Sequence, residues 1–164
     1  CLEHYEPTFL KHYKLGLNQK MGLPGFHKDS FDCAMAFLRI LQSEQLDYTQ
    51  SFIRLQNKEY DVIKDDCLDR HAFESFLSQY ETIREFQDTT ELDTQMTKAN
   101  PYYILRNHMA QKAIELAEAD DFSEVDRLFK LLGQPFTKQS ELEQPEDLGP
   151  LPSDVPEVMV SCSS

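Results

Sequence analysis

Cysteine and histidine are the side chains in this sequence with the most direct chemical potential, as thiolate nucleophiles, redox groups or metal ligands. Four cysteines stand at positions 1, 33, 67 and 162, and five histidines are scattered along the chain. No two cysteines have CxxC spacing and no two histidines have HExxH spacing, so the ligand pattern of a zinc site is not encoded. Cys33 falls at helical spacing from Phe37 and Leu41 and reads as a packed core thiol. Cys162 is different. It lies in the closing stretch "MVSCSS", where a terminal segment has little to pack against, so it is either incidental or reactive. Thiolate needs a nearby positive charge or a helix start, and the neighbourhood supplies Glu157 and further acids instead. Any activating charge or partner sulfur must therefore come from elsewhere. Cys67, between Asp66 and Leu68 at an expected loop, is the most accessible partner within the chain, and a segment ahead of Cys1 is the other source.

Other reaction chemistry is not written into the spacing. The five glycines form neither GxGxxG nor a Walker pattern, so no loop cradles a nucleotide phosphate, and no GxSxG elbow occurs. His71 and His108 have no serine or cysteine set at a telling distance. Glu115, Glu118, Asp120 and Asp121 read as a solvated face, and Arg106 with Asn107 reads as a surface pair reaching loop carbonyls or carboxylates. No catalytic, cofactor-binding or metal-binding residue is assigned.

Sixteen basic against twenty-nine acidic residues give a formal charge of -13, which repels nucleic acid and anionic lipid surfaces alike. No run approaches the roughly 20 apolar residues of a membrane span, and "CLEHYEP" lacks the basic start and apolar core of a signal peptide. The chain reads as cytoplasmic, with reduced thiols. It begins at Cys1 inside what looks like structured sequence, which suggests a fragment of a longer protein.

The elements that must position these residues are helices. In "EPTFLKHYKLGL", Pro7 suits a first helical turn and Leu10, Tyr13 and Leu17 repeat on one face. After the breakers of "GLPGFHKDS", Asp29 and Ser30 offer caps for a stripe of Ala34, Leu38 and Leu41. Asp47 and Gln50 have the spacing of a capping box, and from Asp69 a longer helix carries Phe73, Phe76, Leu77, Tyr80 and Ile83 inward. Asn100 and Pro101 suggest a helix start ahead of Leu105, Met109, Ala113 and Leu116. Asp121 and Glu124 suggest a second capping box ahead of Val125, Leu128, Phe129 and Leu132, ended by Gly133 and Pro135. Two helices of this size joined by a tight turn have the form of a tetratricopeptide unit, but no second copy follows at a fixed period.

The fold expected is all-α, an irregular helical bundle over 1–137 ending in an antiparallel helical hairpin. Residues 138–164 then form an extended acidic tail, lying on the body or free in solvent. From 140 onward the tail holds six acids, four of the eight prolines and no Lys or Arg, too little apolar area to fold alone. Within it, Val155, Val158, Met159 and Val160 could dock against a groove and present the end at a defined place.

The stretch "NPYYILRNHMAQKAIELAEADDFSEVDRLFKLLGQPF" with a terminal "VSCSS" resembles the C-terminal end of selenoprotein O and its bacterial relatives. Upstream, "KLGL" at 14–17 and "DYTQSFIRL" at 47–55 resemble other short motifs of that family in the same order, although Phe52 is followed by Ile53 where the family commonly has arginine, with Arg54 one place later. The resemblance implies a parent protein with a protein-kinase-like (pseudokinase) fold. That parent uses ATP and a divalent metal, magnesium or manganese, to transfer AMP to Ser, Thr or Tyr hydroxyls of other proteins. This chain would be the helical region after that core, with the core and the protein substrates as its partners, and no catalytic residue carries over. In animal members the position matching Cys162 is selenocysteine and in bacterial members cysteine, which implies a redox role. The alternative reading is an independent helical interaction module that binds a partner peptide in an inter-helix groove and has no activity of its own.

Overall fold

The computed structural model describes residues 2–150 apart from Phe26 and Phe86. These residues form eight α-helices and no strand, so the chain is all-α as its periodicity requires. The helices are α1 (Leu2–Met21), α2 (Ser30–Ser43), α3 (Tyr48–Gln56), α4 (Tyr60–Asp66), α5 (Arg70–Arg84), α6 (Thr89–Ala99), α7 (Asn107–Glu118) and α8 (Ser123–Gly133), followed by a short 3-10 turn at Pro145–Asp147. Among the described residues, no helix is long and apolar enough to cross a membrane. The chain divides into two compact units, Cys1–Asn100 and Pro101–Ser164.

The first unit, α1 to α6, is closed by aromatic side chains at helical spacing. Phe37 of α2 lies 4.9 Å from Phe76 of α5 in a near-parallel stack and 5.3 Å from Phe52 of α3, edge to face. Cys33, Ala34, Leu55, Ile63 and Phe73 fill the space around them. Acidic N-caps start three of these helices: Asp47 accepts from the Gln50 amide at 2.8 Å, Asp69 from Ala72 at 3.0 Å and Asp88 from Thr90 at 3.0 Å. Asp29, in contrast, makes no side-chain cap bond, and the Ser30 hydroxyl donates back to the Pro24 carbonyl at 2.8 Å.

Pro7 lies inside α1 rather than at its start. The helix accommodates it because the ring forfeits a single amide bond within the first two turns. On the outside of α1, the rings of Tyr5, Phe9 and Tyr13 stack one above the next at 6.1 and 6.0 Å, and all three are exposed. The other end of α1 closes in a Schellman arrangement. Gly22 takes φ +58, its amide donates to the Gln19 carbonyl at 3.2 Å, and the Leu23 amide donates to the Asn18 carbonyl at 2.9 Å.

The carbonyls left over at that end meet a buried arginine. Nη1 of Arg84 donates to the Gly22 carbonyl at 3.0 Å, the Met21 carbonyl at 3.3 Å and the Tyr80 hydroxyl at 2.8 Å, while Nη2 pairs with Asp93 of α6. Tyr80 in turn donates to the Met21 carbonyl at 2.8 Å. Burial opposes the charge on Arg84, but Tyr80 and Asp93 outweigh it and its pKa stands above the ordinary value.

Asn100 ends α6 and does not begin α7. Its Nδ2 donates to the Lys20 carbonyl at 2.8 Å and to Gln56 at 3.3 Å, and its Oδ1 accepts from Lys20 Nζ at 3.3 Å, so the side chain is held by the first unit and does not act as a cap. In the second unit the amides of Tyr102 and Tyr103 both donate to the Pro135 carbonyl, at 2.8 and 3.4 Å, which keeps this stretch out of the helix until α7 begins at Asn107, with Arg106 at the N-cap position and no side-chain cap bond. α7 and α8 pack together through the turn at 119–122, where Asp120 adopts φ +63. The expected capping box with Glu124 does not form. Asp121 accepts from the Ser123 amide at 2.9 Å, but the Glu124 carboxylate is taken by Arg127, at 2.7 and 2.9 Å.

Arg127 also fastens the acidic segment to this hairpin. It donates to the Leu142 carbonyl at 2.8 Å and to both oxygens of buried Asp147, at 2.7 and 3.0 Å. Leu142 and Leu148 pack beside Tyr103 and Met109, and the Tyr103 hydroxyl donates to Glu143 at 2.6 Å while accepting from the Gln139 amide at 2.8 Å. Burial and the Glu143 carboxylate push Tyr103 up to about 12.

Two outcomes follow from these contacts. A Cβ at position 22 would run into Arg84 and into Met96 Sδ at 2.6 Å, and φ +58 is itself strained for alanine, so Gly22→Ala lowers the stability of the first unit by roughly 2–4 kcal/mol in denaturant titration. The hydrogen bonds from Arg127 hold Glu124 below the usual carboxylate range. Its contribution is therefore complete above its unfolded pKa of about 4.3 and is lost as pH falls through the lower folded value. Arg127→Met costs about 3 kcal/mol at pH 7, and between pH 7 and pH 3 its denaturant midpoint falls less than that of the parent sequence.

Candidate functional site

Cys162, the residue singled out for redox chemistry, lies outside the described residues, as does Cys1. Cys33 sits within α2 with no exposed surface, and burial pushes its thiol up to about 12. Cys67 follows α4 at the expected junction, but the structure corrects the expectation that it is accessible. Its side chain belongs to the first unit's core, 4% exposed, and its Sγ donates to the Ile63 carbonyl at 3.2 Å. Burial first, then the carboxylates of Glu44, Asp66 and Asp69, raise its pKa. A thiol held neutral in this way is a poor nucleophile and a poor exchange partner. The sequence placed Cys67 between elements correctly, but spacing does not reveal that the end of a seven-residue helix turns into the core.

Four of the cations are engaged within their own units. Lys20 lies over the rings of Tyr48 and Phe52 at 5.5 and 5.3 Å and donates to the Ala99 carbonyl at 3.0 Å and to Asn100 at 3.3 Å. Burial lowers its pKa. Arg84 and Arg127 are surrounded by acceptors of their own units, and Arg54 pairs with Asp66. Among the described residues no group of three or more His, Cys, Asp or Glu side chains is placed to hold a metal ion. These residues do not fit an ATP and metal site.

Among the described residues two of the open hollows, one in each unit, differ in what their linings could bind. In the first unit a cleft of about 630 Å³ lies beside Tyr60, Tyr80 and Arg84, and its walls carry Glu74, Glu81 and Glu85, which disfavour a phosphate-bearing ligand. In the second unit a groove of about 420 Å³ is lined by Leu105, Ala113, Val125, Leu128, Phe129 and Leu132 among others, without a charged side chain. This surface can bind an apolar segment. It offers no acid, base or nucleophile. His108 meets the Glu146 carbonyl through Nε2 at 2.9 Å, Asn107 is the first residue of α7, and Arg106 occupies its N-cap position. Sequence reading missed Arg84 and Arg127 as hubs. The signal for Arg84 was Gly22 itself, since a glycine straight after a long helix marks carbonyls in need of donors.

Comparison with known proteins bears on the whole chain. The family model described as protein adenylyltransferase SelO matches residues 1–133. Protein nucleotidyltransferase YdiU of Pectobacterium atrosepticum is 38% identical over 171 residues, covering 100% of this chain and 35% of the relative. The YdiU protein of Pectobacterium carotovorum is 36% identical with the same coverage, and that of Cupriavidus metallidurans is 36% identical over 99% of this chain and 30% of its own length. The chain thus spans about a third of the length of the curated relatives it matches and, by the extent of the family match, belongs to the protein adenylyltransferase SelO family.

Proposed function

We propose that this chain is the helical C-terminal region of a protein adenylyltransferase, supporting a kinase-like core that lies outside it. That core transfers AMP from ATP, with magnesium or manganese, to Ser, Thr or Tyr hydroxyls of cytoplasmic proteins. The observation that carries the reading is the family match across 1–133 in a chain about a third as long as its relatives. The structural employment of Lys20, Arg84 and Arg127 supports the same division of labour, because these cations bind their own units and leave nucleotide to the rest of the protein.

Cys162 is the reactive group this region contributes. With Cys33 and Cys67 buried, its exchange partner lies outside the described residues, and a cysteine of the core fits that role. With a small disulfide RSSR as oxidant, the thiols of Cys162 and the core cysteine give up two protons and two electrons, one S–S bond joins the tail to the core, and RSSR is reduced to two RSH, which alters access to the transfer site.

Two measurements test these statements. Calorimetry with ATP and magnesium or manganese should show binding to the full-length protein and none to the 164-residue chain, and binding by the chain alone overturns the division of labour. In the full-length protein, AMP transfer should differ between oxidising and reducing conditions, and Cys162→Ser should abolish that difference. Identical responses of the variant and the parent sequence remove the redox role.

A further inference from the structure

The α7–α8 hairpin has more apolar surface than its single seam can cover. Met109 and Ala113 of α7 meet Leu128 and Leu131 of α8 in that seam. Beside it the 420 Å³ groove stays open, with Phe129 81% and Leu105 58% exposed. At 3.6 residues per turn, Val125, Phe129 and Leu132 stand about 130° round α8 from Glu124, Arg127 and Leu131. Gln139 bonds to the Leu131 carbonyl, and Arg127 holds Leu142 and Asp147, so the described part of the acidic segment takes the second of these faces. Among the described residues the groove has no occupant.

We propose that this groove seats the chain's own last apolar segment, Val155, Val158, Met159 and Val160. The first argument is the tether. Arg127 with Asp147, Tyr103 with Glu143, and the packing of Leu148 fix the chain to this same unit just before the segment begins. The second is reach. Eight residues from Pro150 to Val158 extend up to about 26–29 Å, whereas a helix of 12 residues such as α7 is about 18 Å long, so every part of the hairpin is within range. A segment tied this closely acts at an effective concentration in the millimolar range, and a shallow groove then suffices. The third is chemistry. The groove lining is uncharged, and in an extended segment Val158 and Val160 project to the same side.

A second copy of the chain is the poorer occupant. Each copy carries a formal charge of -13, and Glu118, Asp120, Asp121 and Asp126 lie on or between the hairpin helices. Seating Val160 in the groove places Cys162 two residues, about 7 Å, from a rigid unit. The proposal goes beyond the redox reading and does not depend on it.

The test uses the full-length protein with a photoreactive benzoylphenylalanine at position 129 and, separately, amide hydrogen exchange read by mass spectrometry. Irradiation should join position 129 to the peptide containing 155–160, and Val158→Asp should remove that product. In the parent sequence the amides of 158–160 should exchange at least tenfold more slowly than an unstructured peptide. Phe129→Asp should erase that protection while α7 keeps its own, which shows the hairpin still folded. Unprotected 158–160 amides, protection indifferent to Phe129→Asp, or cross-links to a second isotope-labelled copy or to another segment of the protein would each overturn the proposal. None of these readouts involves AMP transfer or oxidation, so they stand apart from the fate of the proposed function.

Discussion

The first unit depends on a charge that is almost fully buried. The Arg84 guanidinium binds the two carbonyls at the end of α1 and the Tyr80 hydroxyl on one side, and Asp93 on the other, and so fixes α1, α5 and α6 to a common point. Isolated, a buried guanidinium is unfavourable by several kcal/mol. It is tolerated because its donors meet acceptors that would themselves be unsatisfied, the last carbonyls of a 20-residue helix. The negative end of the helix dipole faces the same cation. Glycine at position 22 is the backbone counterpart, since a side chain there would occupy the space in which Arg84 and Met96 lie.

The second unit repeats the device with different parts. Arg127 gathers Glu124 from its own helix and Asp147 from the acidic segment, and so ties down a stretch that has little apolar surface of its own. In a chain with thirteen more acids than bases, a few arginines become the organising centres and the carboxylates compete for them. This distribution suits a supporting region. Arg84 and Arg127 are spent on internal order, and among the described residues α1 and α8 present exposed apolar side chains.

Much of the first unit's core was legible from spacing alone, because Phe73, Phe76, Leu77, Tyr80 and Ile83 recur on one face of α5, as Ala34 and Leu41 do on α2. The cap at Asp47 and the helix start at Asp69 were equally plain. The errors share a cause. Asn100, Glu124 and Cys67 each carry a local signal, for a cap, a capping box and an accessible loop thiol, and each is claimed by a distant partner or by the core. Local chemistry lists what a side chain can do, and tertiary neighbours choose among the options. Arg84 and Arg127 were missed because a charge was read as solvent-facing by its type, although at 3.6 residues per turn Arg84 falls on the same side of α5 as Phe73, Leu77 and Tyr80. α4 and α6 stood out poorly because they bury only Ile63, and Leu92 with Met96, too few positions to make a periodic pattern. The family resemblance, carried by short motifs spread across the chain, was legible where the candidate site was not, since Cys162 gains meaning only from groups beyond its own neighbourhood.

The stacked rings on α1 bear on how the chain behaves in bulk. Tyr5, Phe9 and Tyr13 form an oily ridge about 12 Å long on a molecule whose formal charge is -13. At low ionic strength mutual repulsion keeps such ridges apart. Near 0.15 M salt the screening length shrinks to about 8 Å, shorter than the ridge itself. Repulsion from the net charge of -13 then acts over a shorter range than the ridge extends, so the three exposed rings weigh more when two copies meet.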